Sequence, residues 1–130
     1  MLEGPLSNTI IKAFYNVYNT LGYGFLEKVY ENALILELQK FGIHGRRQVP
    51  LTVYYEEKKV GDYFADIIVE DKIIIELKAA EALREEHEAQ LINYLRATSI
   101  EVGFLFNFGK EPSFKRKIFQ NEYKKSVPIR

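Results

Sequence analysis

No cysteine occurs among the 130 residues, which excludes disulfides and thiolate chemistry and matches a reducing compartment. Tryptophan is also missing, so the aromatic content of 14% rests on nine Tyr and nine Phe, and ring packing is expected in the core. Only two histidines are present. His87 has no second metal-ligand partner at helical spacing, which favours an ordinary helix-face histidine over a metal ligand or proton shuttle. No apolar run approaches a membrane span, and Met1-Leu2-Glu3-Gly4-Pro5 lacks the charged-then-apolar pattern of a signal peptide. The expectation is a cytoplasmic protein with no membrane partner. Net charge is absent as well, since 18 basic residues balance 18 acidic ones. Proteins that coat nucleic acid usually carry a surplus of Lys and Arg, so the balance disfavours that class. The charge is uneven, however. Glu81, Glu85, Glu86 and Glu88 face Arg84 alone in one stretch, while Lys110, Lys115, Arg116, Lys117, Lys124, Lys125 and Arg130 crowd the C-terminal region. That region offers either a local basic surface or a solvated tail.

What is present fits a single domain over residues 1–130, with no repeat, low-complexity tract or linker. Ser7 or Asn8 can cap a first helix running to about Asn19, with Gly22 ending it. A second helix is expected from about Phe25 to Phe41, with Leu26, Val29, Tyr30, Ala33, Leu34 and Phe41 as its apolar face and Gly42 as its stop. Residues 47–57 alternate like a strand, and Pro50 points to an edge position or a strand start. Residues 61–69 and 73–79 read as an antiparallel hairpin around Glu70-Asp71-Lys72. A third helix spans 83–97, and Val102–Phe106 is apolar enough for a buried central strand. A short strand or helix follows near 114–119. The order is α-α-β-β-β-α-β, and the long connection into the fourth strand favours a parallel crossover.

Charged side chains interrupt the most β-prone segment. Glu76 and Lys78 share one face of a strand, with Leu77 opposite. If the hairpin pairs around residues 70–72, Asp66 lies beside Glu76. Two carboxylates that close repel unless a cation or proton sits between them. Such oxygen ligands suit Mg²⁺, which takes one or two protein carboxylates and keeps waters for a substrate to displace. A neighbouring Lys can then orient or deprotonate the attacking water. The same three residues also fit a structural ion-pair network on a solvated sheet face. On the third helix, Gln90 and Tyr94 stand one turn apart and can present an amide and a phenol to one spot. On the second, Glu27 lies on the shoulder of the apolar face and Glu37 inside it, where Arg46 or Arg47 could pair with it. Phe104, Phe106 and Phe108 alternate along a strand, and core packing is the more economical role for them than base stacking.

Asp66, then Glu76-Leu77-Lys78, then Gln90-Leu91-Ile92-Asn93-Tyr94 resembles the PD-(D/E)xK nuclease superfamily, the last five residues being similar to the QxxxY motif of its RecB-like branch. Gly24-Phe25-Leu26-Glu27-Lys28-Val29-Tyr30 resembles the signature of the small GxxExxY family within it, and Asn107-Phe108-Gly109 extends the similarity. The likeness runs from about residue 8 to 120; Ala65 stands where the superfamily has Pro. It implies a restriction-endonuclease-like α/β core, a mixed sheet flanked by helices. It implies that Asp66 and Glu76 bind Mg²⁺ (or Mn²⁺) with the Leu77 carbonyl, and that Lys78 acts on the attacking water. Glu27 matches an acid that many relatives supply from the preceding helix, and Gln90 and Tyr94 would steady the site or touch the nucleic-acid backbone. The expected function is metal-dependent hydrolysis of phosphodiesters, foremost in DNA, by a chain that can form a homodimer to address both strands. The alternative is a catalytically silent module on the same fold that binds nucleic acid or a protein.

Overall fold

The computed structural model describes residues 2–124, so Lys125 and Arg130 of the basic region lie outside the described residues. Helix α1 (Gly4–Leu21) starts earlier than a Ser7 cap would place it, with Pro5 in its first turn, where a missing N–H costs no helical hydrogen bond. Ser7 is instead buried inside the helix. The chain turns at Gly22, whose φ of 68° suits glycine and whose N–H donates to the Tyr18 carbonyl at 2.7 Å.

Helix α2 (Glu27–Lys40) buries a narrower stripe than its sequence implies. Tyr30, Leu34 and Leu38 are fully buried, whereas Leu26 is 81% exposed and Val29 and Phe41 are exposed as well. Of the first turn, Tyr30 alone reaches the core, while Glu27 and Lys28 line a cleft shared with Gln48, Asp66 and Leu77. Glu37 finds neither Arg46 nor Arg47. Asn16 donates to it at 3.0 Å and Lys40 lies 3.2 Å away, because Arg46 pairs with Asp71 and Arg47 donates to Asn32.

The strands are β1 (Gly45–Tyr55), β2 (Lys58–Val69), β3 (Ile73–Lys78), β4 (Val102–Phe108) and β5 (Pro112–Ile118), with helix α3 (Glu85–Arg96) between β3 and β4. They form one mixed five-stranded sheet in chain order. The β2–β3 hairpin is antiparallel and β3 pairs parallel with β4, as the crossover demands. The segment near 114–119 is strand, and Pro50 sits on edge strand β1. Two of the three hairpin turns place acidic residues in left-handed conformations: Glu56 and Glu57 between β1 and β2, Glu70 and Asp71 between β2 and β3. The β1–β2 pairing runs the full length of both strands, but β3 meets β2 only at Ile67, Ile68 and Val69. Residues 58–66 of β2 therefore extend with β1 as a two-stranded arm.

Helices α1 and α2 cover one sheet face and α3 the other. On the first face, Phe14 stacks on Phe106 with centroids 4.3 Å apart, and Tyr30 on Phe108 at 4.1 Å, so the alternating phenylalanines are core. On the second, Gly103 admits Leu91 of α3: a Cβ there would stand 2.7 Å from Leu91 Cδ1. Phe14 joins three rings, Phe106, Phe108 and Phe114, to one helix. Phe14→Ala is expected to lower unfolding free energy by about 3–5 kcal/mol, measured by urea denaturation.

Candidate active site

Ala65 and Ile67 are two residues apart on β2, and regular alternation would place both on one face. Ala65 instead packs with α3 and Ile67 with α1 and α2. The facing strand breaks at the same rung. Gln48, between the pairs Arg47–Ile67 and Val49–Ala65, has a φ of 50°. A left-handed glutamine costs about 1–3 kcal/mol and persists only where its surroundings hold it. The result is a kink at Asp66, which is also where the β2–β3 ladder ends.

Beyond that point the acids continue the ladder with their side chains. The Asp66 N–H donates to Glu76 Oε2 at 2.7 Å, and the Leu77 N–H donates to Asp66 Oδ2 at 2.8 Å. Each carboxylate thus takes a backbone donor that a regular sheet would give to a carbonyl. Glu76 is only 4% exposed, which excludes the solvated ion-pair network. Lys78 is half-buried on the same face as Glu76 and makes no hydrogen bond or ion pair among the described residues. Its charge nonetheless favours ionisation of both acids. Burial works the other way. It raises the Asp66 carboxyl, opposed by the hydrogen bonds from Leu77 and Gln48. Burial first, and the Asp66 charge second, push Glu76 up to about 8. The two acids therefore titrate as a pair that retains a proton near neutral pH when no cation is bound.

Two members of the site escaped the sequence reading. Gln48 donates to Glu31 Oε1 at 2.6 Å and to Asp66 Oδ1 at 3.3 Å. Glu31 is buried and takes a second partner from Lys28 at 2.8 Å. The chain Lys28–Glu31–Gln48–Asp66 ties the first turns of α2 to the kink. The spacing Glu27–Glu31, one helical turn, was the available signal for Glu31; nothing in the sequence marks Gln48. Glu27 is exposed and lines the same small cleft, about 160 Å³, with Glu31, Gln48, Asp66 and Leu77. The segment that leads to Glu27 is held by Tyr30, whose hydroxyl donates to the Gly22 carbonyl at 2.7 Å and accepts from the Phe25 N–H at 3.2 Å.

From the other face, Gln90 donates to the Tyr94 hydroxyl at 2.9 Å. Burial raises the Tyr94 phenol, and the charges of Glu76 and Asp66 raise it further, so the pair stands within electrostatic reach of the acids. His87 belongs to the start of α3 instead: its Nδ1 accepts from the Arg84 N–H at 3.1 Å. Asn107 clamps the exit of β3 by accepting from the Ala80 N–H and donating to the Ala80 carbonyl, both at 3.0 Å. A Cβ on Gly109 would stand 2.7 Å from that carbonyl, so only glycine allows the approach.

The donor set suits a hard divalent ion in a water-rich shell. Glu76 Oε1 has no hydrogen bond among the described residues, and Asp66 presents a second carboxylate beside it. No group of three or more His, Cys, Asp or Glu side chains among the described residues is arranged to hold an ion. An ion here would take two carboxylates and fill its remaining positions from backbone, water and substrate, the pattern of Mg²⁺ rather than of a fully caged Ca²⁺ or Zn²⁺.

A mixed sheet flanked by helices, with an acid pair and a lysine at the parting of two strands, defines an α/β protein of restriction-endonuclease-like fold. The model of the PD-(D/E)XK nuclease superfamily matches residues 5–118, and the chain belongs to that superfamily. The solved crystal structure of SSO0001 is similar at a TM-score of 0.57 and 20% identity, over 72% of this chain and 50% of that one. That likeness is one of fold, and the chain spans half the length of that protein. No curated protein matches it. No helix among the described residues is long and apolar enough to cross a membrane.

The buried Glu76 carboxyl makes metal-free stability depend on pH. Glu76 has a folded-state value of about 8 against an ordinary 4.5, so the folded chain holds its proton more tightly than the unfolded chain. The stabilisation is complete below pH 4.5 and is lost as pH rises through about 8. In EDTA, urea denaturation is expected to show stability falling across that window. Glu76→Gln should flatten most of the slope; an unchanged slope would show that Glu76 is not the group responsible.

Proposed function

We propose that the chain is a divalent-metal-dependent nuclease that hydrolyses phosphodiester bonds, with DNA as its foremost substrate, and that it belongs to the GxxExxY branch. The observation that carries the reading is the Asp66–Glu76 exchange at the end of the β2–β3 ladder: a buried Glu76 carboxylate and a half-buried Asp66 carboxylate each accept from the backbone of the other's strand, with the Lys78 charge acting on both. Like-charged acids held this close call for a cation. In this reading Asp66 and Glu76 hold Mg²⁺ or Mn²⁺ with the Leu77 carbonyl. When bound, the ion supplies an activated water and offsets charge on the phosphoryl oxygens.

The chain's own residues supply position and protons. Lys78 orients the attacking water and stabilises the negative charge that develops on the phosphate. Gln90 fixes the Tyr94 hydroxyl toward the acids, where it restrains Glu76 or meets the backbone of the nucleic acid. Glu27 approaches from the α2 side of the same cleft, so it can hold a water opposite Lys78. Two copies on a two-fold axis would place one such centre on each strand of a duplex. A cytoplasmic location fits the absence of cysteine from the chain.

Incubation with single-stranded, double-stranded and branched DNA and with RNA, in Mg²⁺ or Mn²⁺, is expected to give metal-dependent cleavage. Glu76→Ala and Lys78→Ala should each lower the rate about 100-fold or more. Activity that survives both substitutions would refute the site. Separately, Mg²⁺ should raise the melting temperature, since saturation at a hundred times Kd stabilises by about 2.7 kcal/mol. Asp66→Ala should abolish that shift. A metal shift without cleavage of any substrate would identify a binding module that keeps the metal but not the reaction.

A further inference from the structure

A second cleft, of about 600 Å³, opens between the β1–β2 arm and α3. Its volume lies within the range of about 300–1,000 Å³ typical of small-molecule sites. Val53 and Tyr63 form the arm wall, and Gln90, Asn93, Tyr94 and Ala97 form the helix wall. The kink at Asp66 creates this space. It turns Leu51 and Ala65 toward α3, while the arm beyond them runs on without β3 at its side.

Three features of the cleft point to one kind of occupant. Tyr63 is a large ring left 48% exposed, its centroid 5.7 Å from that of buried Tyr94, so one aromatic surface is propped up by another and offered outward. The polar groups around it are the amides of Gln90 and Asn93 and the imidazole of His87, whose Nδ1 is already taken by the Arg84 N–H, while the formal charges of Glu86 and Arg96 cancel. A planar ring with a hydrogen-bonding edge matches that combination; a phosphate does not. Finally, Tyr94 lines the cleft and packs in one cluster with Ala65, the residue that precedes Asp66 on β2, so the cleft adjoins the acid pair.

We infer that this cleft receives one unpaired nucleobase, stacked on Tyr63 and bonded along its edge by Asn93 and Gln90, so that an adjoining phosphodiester lies at Asp66 and Glu76. The inference rests on the nuclease reading and narrows its substrate to single-stranded or locally opened nucleic acid. A paired base is expected to enter poorly, because it must first leave its stack.

Binding measured in EDTA separates this inference from the nuclease reading, since it needs neither metal nor cleavage. Fluorescence anisotropy with the full chain would compare a labelled oligothymidine, an oligouridine, a duplex of equal length and an abasic strand of equal length. Oligothymidine and oligouridine should both bind, and the duplex and the abasic strand more weakly. Tyr63→Ala should weaken oligothymidine binding about tenfold, and Tyr63→Phe should leave it unchanged, because stacking needs the ring and not the hydroxyl. Asn93→Trp, at an exposed position, should block the cleft with a similar loss while circular dichroism reports an intact fold. The inference is overturned if the wild type does not bind oligothymidine, if the abasic strand binds equally well, or if both Tyr63→Ala and Asn93→Trp bind like the wild type. Failure of wild-type cleavage with these binding differences intact would instead remove the nuclease reading and leave the base site standing.

Discussion

Where β2 and β3 part, two carboxylates take over the backbone hydrogen bonds that the sheet can no longer make. Asp66 accepts from Leu77, and Glu76 accepts from Asp66, so each acid is fixed by the strand that carries the other. This constraint organises much of what surrounds it. An unpaired backbone N–H at a strand terminus costs free energy, and so does a buried carboxylate without a donor. Joining the two problems solves both, at the expense of holding like charges together. That residual repulsion is what makes the place suited to a cation.

The kink follows from the same geometry. For Asp66 to reach the β3 backbone, its rung must leave the regular pleat, and the facing residue must leave it too. Gln48 absorbs the change in a left-handed conformation and is held there by bonds to Glu31 and Asp66. The strain is thereby stored beside the acids and anchored to α2. On the opposite side, the rotation of Leu51 and Ala65 toward α3 gives the arm its own core contacts and opens the larger cleft. A single distorted rung thus shapes both the small cleft at Asp66 and the larger one under the arm.

Several motif residues separate into scaffold and chemistry once their contacts are known. In the segment Gly24 to Tyr30, Tyr30 is a buried strut that ties the α1–α2 turn to Gly22 and Phe25, while Glu27 and Lys28 line the cleft. Asn107 and Gly109 set the exit of β3 through Ala80, keeping Lys78 at the end of a braced strand. His87 caps α3 and takes no part in the site. Rigid placement of a few polar groups by buried apolar ones is what a site built on strands gains over one built on loops.

Much of this was legible in the chain itself. The hairpin turn, the parity that pairs Glu76 with Lys78, the helical spacing of Gln90 and Tyr94, and the alternating phenylalanines are all periodic signals, and periodicity survives in sequence because it is local. The limits of α2 were not legible: Leu26 and Val29 look like core residues but are exposed, because which side chains of a helix turn reach the sheet depends on how the helix is set against it. Glu31 and Gln48 were hidden for a related reason. A buried acid and an ordinary glutamine carry no pattern of their own, and their roles arise only when α2, β1 and β2 meet. The sequence by itself determined the mixed α/β architecture and the acid pair, because neighbours along strands and helices decide those. Only the tertiary structure decided the kink at Asp66, the tie through Gln48 to Glu31 and the cleft beneath the arm, because these depend on contacts between segments far apart in the chain.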